Sequence, residues 1–231
     1  MARQAPKVKT ERTATKFDKN KKSIELVPKN SNQEFYIKSL RSSDQVVVFG
    51  PAGTGKTYVV ATEAASLYHT KAINRIVITR PHVAVGKDVG FLPGTLEEKC
   101  APWSLPVIDV LQRHLGNGVV ETGLKNGNIE TAPLALMRGR SFDNAFVIVD
   151  EAQNVTHNQM ETVIGRLGKG SKMVICGDMA QIDLKDKRET GFSFLSRIEE
   201  SVGGFSISTL LQNHRHDIVS PILKVYQTFR D

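Results

Sequence analysis

Three short stretches hold the residue types that phosphate chemistry needs. The first is GPAGTGKT, Gly50 to Thr57, which fits G-x-x-x-x-G-K-[ST]. Gly50, Gly53 and Gly55 admit backbone conformations that a side chain would block, so the N–H groups of the loop built from Gly50, Pro51, Ala52, Gly53, Thr54 and Gly55 can turn toward one anion, Pro51 alone having none to offer. Lys56 then reaches the outer phosphates and Thr57 offers a hydroxyl to Mg²⁺. With glycine at ~7% of residues, the bare pattern arises by chance in about one chain in a hundred of this size. The second stretch is VDEAQN, 149–154, which puts Asp150 and Glu151 after four apolar residues. Asp150 is placed to hold the metal and Glu151 to polarise an attacking water. The third is GDMAQ, 177–181, in which the neutral amide of Gln181 can touch a terminal phosphate or the water and lose that contact after hydrolysis. Taken singly, an Asp-Glu pair is as well read as a solvated turn, and Asp178 as a helix N-cap beside an ordinary surface glutamine.

These stretches need elements that bring them together. QVVVFG (45–50), INRIVITRP (73–81), IETAPLAL (129–136), AFVIVDEA (145–152), KMVICGD (172–178) and SISTLL (206–211) read as strands, mostly apolar on both faces. Helical spacing marks 30–40, 56–70, a stretch from Leu96 through Leu115, and 217–229. Residues 117–128 are rich in Gly and Asn and read as an exposed connection, and HVAVGKDVGFLPGT as an irregular loop. Apolar strands alternating with helices predict a three-layer α/β/α domain around a mainly parallel sheet, with each phosphate-handling stretch at a strand's C-terminal end. No internal repeat is evident.

Composition narrows the class. The 231 residues are 40% hydrophobic and 24% charged, ordinary for a folded domain. No apolar run approaches the ~20 residues that cross a bilayer, and the two cysteines show no metal spacing, so a cytoplasmic protein is expected. The net charge is +7, but residues 1–22 hold eight basic and two acidic residues, which leaves the body nearly neutral. Residues 1–23 are therefore expected to be a disordered basic tail, serving as a solubilising terminus or as an arm held near phosphate backbone, and 24–231 one catalytic domain.

In this order the three motifs resemble the nucleotide-binding half of superfamily 1 helicases. With ITRPHVAVGKDVGFLPGTLEEK (78–99), APLALMRGRSF (132–142) and NHRHDIV (213–219), the chain more closely resembles the PhoH family of ATPases, from about residue 24 to 229. The resemblance implies a RecA-like P-loop NTPase domain, often assembled into a ring, with a hexamer favoured here. It matches Gln33 to an adenine-reading glutamine, hence ATP, and Arg215 to an arginine that stabilises the γ-phosphate within the chain or on a neighbour. The residues just before Arg215, LLQNH, depart from the acidic and β-branched pattern expected there. His214 and His216 flank it and are expected to orient its loop.

The expected activity is Mg²⁺-dependent ATP hydrolysis coupled to RNA or single-stranded DNA. Guanidinium forks suit phosphate. Arg80 stands where superfamily 1 proteins contact a single strand, and Arg80, Lys87, Arg138 and Arg140 are the candidate nucleic-acid residues. The competing expectation is ion pairs with nearby acids such as Asp88, Glu97 and Glu98. Trp103 either stacks on a base or packs beside Leu105 and Val107. A nucleotide-dependent assembly module with slow hydrolysis and no nucleic acid is the alternative function. A kinase is disfavoured, because Glu151 and Gln181 place water rather than an acceptor at the terminal phosphate.

Overall fold

A computed structural model describes residues 24–81, 96–214 and 218–229. Residues 1–23, 82–95, 215–217 and 230–231, with Lys87, Arg215 and His216 among them, lie outside these.

Six parallel strands form one sheet in the order β3-β2-β4-β5-β1-β6. In chain order these are β1 (Gln45–Phe49), β2 (Arg75–Arg80), β3 (Ile129–Pro133), β4 (Ala145–Val149), β5 (Lys172–Gly177) and β6 (Ser206–Thr209). Strand side chains alternate between two apolar cores. Val46, Val48, Ile76, Ile78, Phe146, Ile148, Val174 and Cys176 face one layer. That layer holds α1 (Ser31–Ser42), α2 (Lys56–His69), α3 (Leu96–Leu115) and α4 (Asn117–Lys125). Val47, Val77, Val147, Val149, Met173 and Ile175 face the other, where α5 (His157–Ile164) and α6 (Phe194–Val202) pack with Met137, Phe142 and Phe192. Coverage on both sides explains why the strands read as unbroken β-branched runs. This is the three-layer, RecA-like architecture expected.

Strand order decides the site. β5 pairs with β1 on one side and β4 on the other, Val47 opposite Ile175 and Val149 opposite Ile175. The phosphate loop and the acidic pair therefore leave strands two spacings apart, about 10 Å, with the Gly177–Asp178 end between them.

Helix starts are specified locally. Asn30 caps α1 by accepting from Gln33 N–H at 2.9 Å, and Thr156 with Gln159 forms a capping box on α5. One expectation is corrected: Asn117 to Lys125 is helical, α4, anchored by the buried Val120 and by Gly123, whose missing side chain makes room for Ile129. The α5 and α6 segments also form helices that the spacing did not announce.

At the β3 edge Glu130 lies between two arginines. Arg140 is bidentate to it at 2.5 and 2.8 Å, Arg75 donates to it from β2, and both guanidinium groups lie over the Phe142 ring, Arg140 at 4.8 Å. The Arg140 hydrogen bonds, with help from Arg75, hold the Glu130 carboxyl below its ordinary value despite partial burial. A lowered carboxylate stabilises the fold above its unfolded pKa, and that stabilisation is lost as pH falls through the folded value. Glu130→Gln should therefore destabilise by about 1–3 kcal/mol at neutral pH, the size of hydrogen bonds to a charged group. The difference should shrink in urea titrations taken progressively below the ordinary carboxylate range. A gap that is independent of pH would remove the ion pairs as its cause.

Candidate nucleotide site

The loop from Gly50 to Thr57 joins β1 to α2 and closes on its neighbours by backbone contacts. Gly50 N–H donates to the Gly177 carbonyl at 3.2 Å and His214 N–H to the Gly53 carbonyl at 2.9 Å. Gly50 packs so tightly that a Cβ there would meet the Leu210 carbonyl oxygen at 2.4 Å. Gly55, the residue capping α2, has φ +90, and a Cβ on it would come within 2.9 Å of Gln33 Nε2. A side chain is thus excluded twice at that position, by conformation and by space. Thr54 is buried and its hydroxyl donates to the Pro51 carbonyl at 2.9 Å, which fixes the loop's inner turn. Lys56 Nζ donates to the Gly50 carbonyl and, at 2.9 Å, to that of Pro51.

Gln33 is brought against the loop, not left on the surface of α1. Its Nε2 donates to the Thr54 carbonyl at 3.0 Å and its Oε1 accepts from Lys29 N–H at 2.9 Å. The side chain is buried and does not line the cavity, although its amide carries a second N–H and a second lone pair beyond these two bonds. Nearby, the His214 ring lies 3.1 Å from the Asn30 amide nitrogen. His214 thereby ties the segment before Arg215 to both the loop and the α1 cap.

β4 delivers the acidic pair. Its last residues are wholly buried, and Asp150 N–H continues the ladder to the Thr79 carbonyl at 2.9 Å. Glu151 then adopts φ 52, ψ 39, left-handed for a residue with a side chain. Such a conformation costs about 1–3 kcal/mol and recurs at sites whose surroundings hold a side chain in one direction. Its Oε2 accepts from Gln153 Nε2 at 2.6 Å, and its Oε1 lies 3.9 Å from Arg80 Nη2 at the end of β2. Burial, with the Glu151 charge adding, pushes the Asp150 carboxyl above its ordinary value. The Glu151 N–H and the charges of Arg80 and Lys56 offset part of this. Beneath the pair, burial also pushes the Cys176 thiol up, which leaves Cys176 a packing residue 3.9 Å from the Tyr36 hydroxyl.

After β5 the chain turns sharply. Asp178 accepts from Ala180 N–H at 3.0 Å and from the Gln181 amide, and Gln181 N–H donates to the Asp178 carbonyl at 2.9 Å. Asp178 therefore caps a turn, not a helix. Loop, acidic pair and turn enclose a cavity of about 270 Å³. Its lining includes Gly53, Lys56, Thr57, Asp150, Glu151 and Gln181. Residues nearly a hundred positions apart in sequence thus converge on one space.

The remaining candidates divide. Arg80 reaches the cavity's edge through Glu151. Arg138 is exposed after the short turn that follows β3. Arg140 is not brought to the cavity, being engaged by Glu130. Trp103 packs partly buried against the first core. Lys87 and Arg215 lie outside the described residues. Gln153 and Asn154, given no role by the motif itself, are both buried although they follow the acidic pair after one intervening residue. Two amides between a catalytic-type pair and the Thr156 cap were the available signal.

Among the described residues no group of three or more His, Cys, Asp or Glu could hold a metal alone, and no helix is long and apolar enough to cross a membrane. A hydroxyl and one carboxylate, Thr57 and Asp150, are nevertheless the hard oxygen donors that suit Mg²⁺ when phosphates complete its shell. The desolvated Asp150, beside another carboxylate, gains most from such a cation.

Comparison with known proteins agrees with this geometry. The chain is 41% identical over 210 residues to a PhoH-like protein of Bacillus subtilis, covering 90% of this chain and 66% of that one. It is 43% identical over 178 residues to the protein PhoH of Escherichia coli K12, covering 76% of this chain and 50% of that one. The chain therefore spans between half and two thirds of the length of these relatives. Among solved structures it is similar to a Pif1 helicase of Candida albicans, with a TM-score of 0.47 and 19% identity over 89% of this chain and 45% of that one. The family model described as PhoH-like protein matches residues 25–227, and the chain, a P-loop NTPase by its cavity and strand order, belongs to the PhoH-like family.

Proposed function

We propose that the protein hydrolyses ATP in a Mg²⁺-dependent reaction and couples it to binding of RNA or single-stranded DNA. The observation that carries the hydrolytic half is the single cavity shared by Lys56, Thr57, Asp150, Glu151 and Gln181. The loop N–H groups and Lys56 hold the phosphates, the ammonium turning from the Gly50 and Pro51 carbonyls to the ligand. Thr57 and Asp150 would hold Mg²⁺, which would supply charge neutralisation at the phosphates. Glu151 orients a water and accepts its proton as the water oxygen bonds to the γ-phosphorus, the bond to the bridging oxygen breaks and ADP leaves. Gln181 steadies the terminal phosphate, and Arg215 adds its charge from the same or a neighbouring subunit. The second N–H and second lone pair of the Gln33 amide would match adenine N7 and N6 once the base reaches them, which would favour ATP over GTP.

Arg80 supports the coupling half. Its guanidinium is half-exposed at the strand ends yet near the Glu151 carboxylate. A strand phosphate that engages Arg80 therefore changes the charge beside the base. Lys87 and Arg138 would extend that contact. Arg140 belongs to it only if a strand phosphate displaces Glu130. The described residues form one sheet, and movement along a strand would require a second lobe beyond them. On α7 (Val219–Thr228) the apolar Ile222, Val225 and the adjacent Phe229 are exposed, a face that a further lobe or copy could cover. That face also supports the second reading, nucleotide-dependent assembly without nucleic acid.

The deciding measurement is steady-state ATP hydrolysis with and without single-stranded RNA or DNA, beside mass by light scattering with and without ATP. Stimulation by a single strand, most of it lost in Arg80→Ala, is expected. An unstimulated hydrolase whose mass responds to ATP would favour the assembly reading, and an absence of Mg²⁺-dependent hydrolysis would overturn both.

A further inference from the structure

We propose that Gln153 is a positioning residue that sets the direction of the Glu151 carboxylate and links it to the turn carrying Gln181. The inference rests on the hydrolytic reading of the cavity. Gln153 is fully buried, and both of its amide hydrogens and its amide oxygen are engaged. One Nε2 hydrogen goes to Glu151 Oε2 at 2.6 Å and the other to the Gln181 carbonyl at 3.1 Å, while Oε1 accepts from Asp178 N–H at 3.0 Å. A single side chain thus touches the end of β4 and both ends of the turn after β5.

No other side chain of this size meets those demands. Glutamate would set a second carboxylate against Glu151 and an acceptor against the Gln181 carbonyl. Leucine would leave the buried Asp178 N–H without a partner. Asparagine is one methylene short. The Glu151 backbone is already left-handed, so its side chain depends on such a contact for its aim. Any shift of residues 178–181 on loss of the terminal phosphate is transmitted to the base by the same two hydrogen bonds. Asn154 grips the same segment farther on, its side chain exchanging bonds with Asp183 at 2.7 and 3.3 Å; it meets Glu151 through its backbone N–H, which donates to the Glu151 carbonyl at 3.0 Å and survives truncation of the side chain, and it does not line the cavity. It supplies the structural control.

The test is a double-mutant cycle on kcat for ATP, with nucleotide Kd measured by a fluorescent ATP analogue and Tm for every variant. Gln153→Glu should lower kcat about 10- to 100-fold, the size of a lost hydrogen bond to a charged group, with Kd within about threefold of wild type. In the Glu151→Gln background the same change should lower kcat less than about twofold, because groups that act as one unit are not additive. Asn154→Ala should lower Tm without reproducing the kcat loss. Gln153→Ala replaces Gln153→Glu if the latter does not fold, with the same expected pattern. Wild-type-like kcat in the Gln153 variants, or a loss that multiplies fully on Glu151→Gln, would overturn the inference while leaving hydrolysis standing. A wild type without hydrolysis overturns the functional reading and this inference together.

Discussion

Glu151→Gln is expected to bind ATP as tightly as the wild type and to hydrolyse it about 10²- to 10⁴-fold more slowly, the usual contribution of a positioned general base. The fold should tolerate the change. The amide is isosteric, its carbonyl oxygen still accepts from Gln153 Nε2, and the left-handed backbone suits glutamine no worse than glutamate. What disappears is the proposed proton acceptor. The Asp150 carboxyl is held up partly by the Glu151 charge. Neutralising residue 151 therefore eases Asp150 toward its ionised form and should preserve metal-dependent binding. Phosphate release in a single turnover, set beside nucleotide affinity with and without Mg²⁺, separates the two effects. Near-normal release would show that another group takes the proton, and lost affinity would show that Glu151 holds ligand.

What could be seen in the sequence follows from how local its physical cause is. VVVF and FVIV were legible as strands because helices cover both faces of the sheet, so every position is apolar. GPAGTGKT was legible because its glycines answer to local conformation, Gly53 and Gly55 both having positive φ. α4 was hidden because one of its glycines answers to packing outside the helix: Gly123 is small so that Ile129 of β3 can lie against it, and a window of Gly and Asn gives no sign of that. α5 was hidden by brevity, with only Met160 and Val163 buried in its eight residues. Arg140 was assigned a phosphate because its partner Glu130 is opposed to it across a sheet edge, not along a helix. Gln153 escaped for the same reason, since its partners Asp178 and Gln181 reach it only because β5 lies beside β4. The spacing of motifs thus announces the chemical groups, whereas the strand order determines which of them touch.

Lys56→Ala should abolish measurable nucleotide binding, weakening it by about 100-fold or more if each charge-assisted contact to phosphate contributes about 1.5–3 kcal/mol. The loop geometry makes this a test of the ligand site and not of folding. Lys56 Nζ serves two loop carbonyls, Gly50 and Pro51, and the latter contact is exposed. Water can replace the ammonium there, and the loop keeps its other ties to Gly177, Gln33 and His214. Tm should therefore move little while affinity collapses. Lys56→Arg is the sharper comparison. It keeps the charge but replaces a compact ammonium by a planar fork too broad for the space between two carbonyls of one turn, so it should also bind poorly. Titration of a fluorescent ATP analogue at fixed Mg²⁺ reads both variants. Tight binding by Lys56→Ala would mean that the loop does not hold the phosphates. Tight binding by Lys56→Arg alone would mean that charge, and not shape, fills the cradle. Because Glu151→Gln is expected to keep affinity and lose rate while Lys56→Ala loses affinity first, the pair assigns binding to the β1 end and chemistry to the β4 end of one cavity.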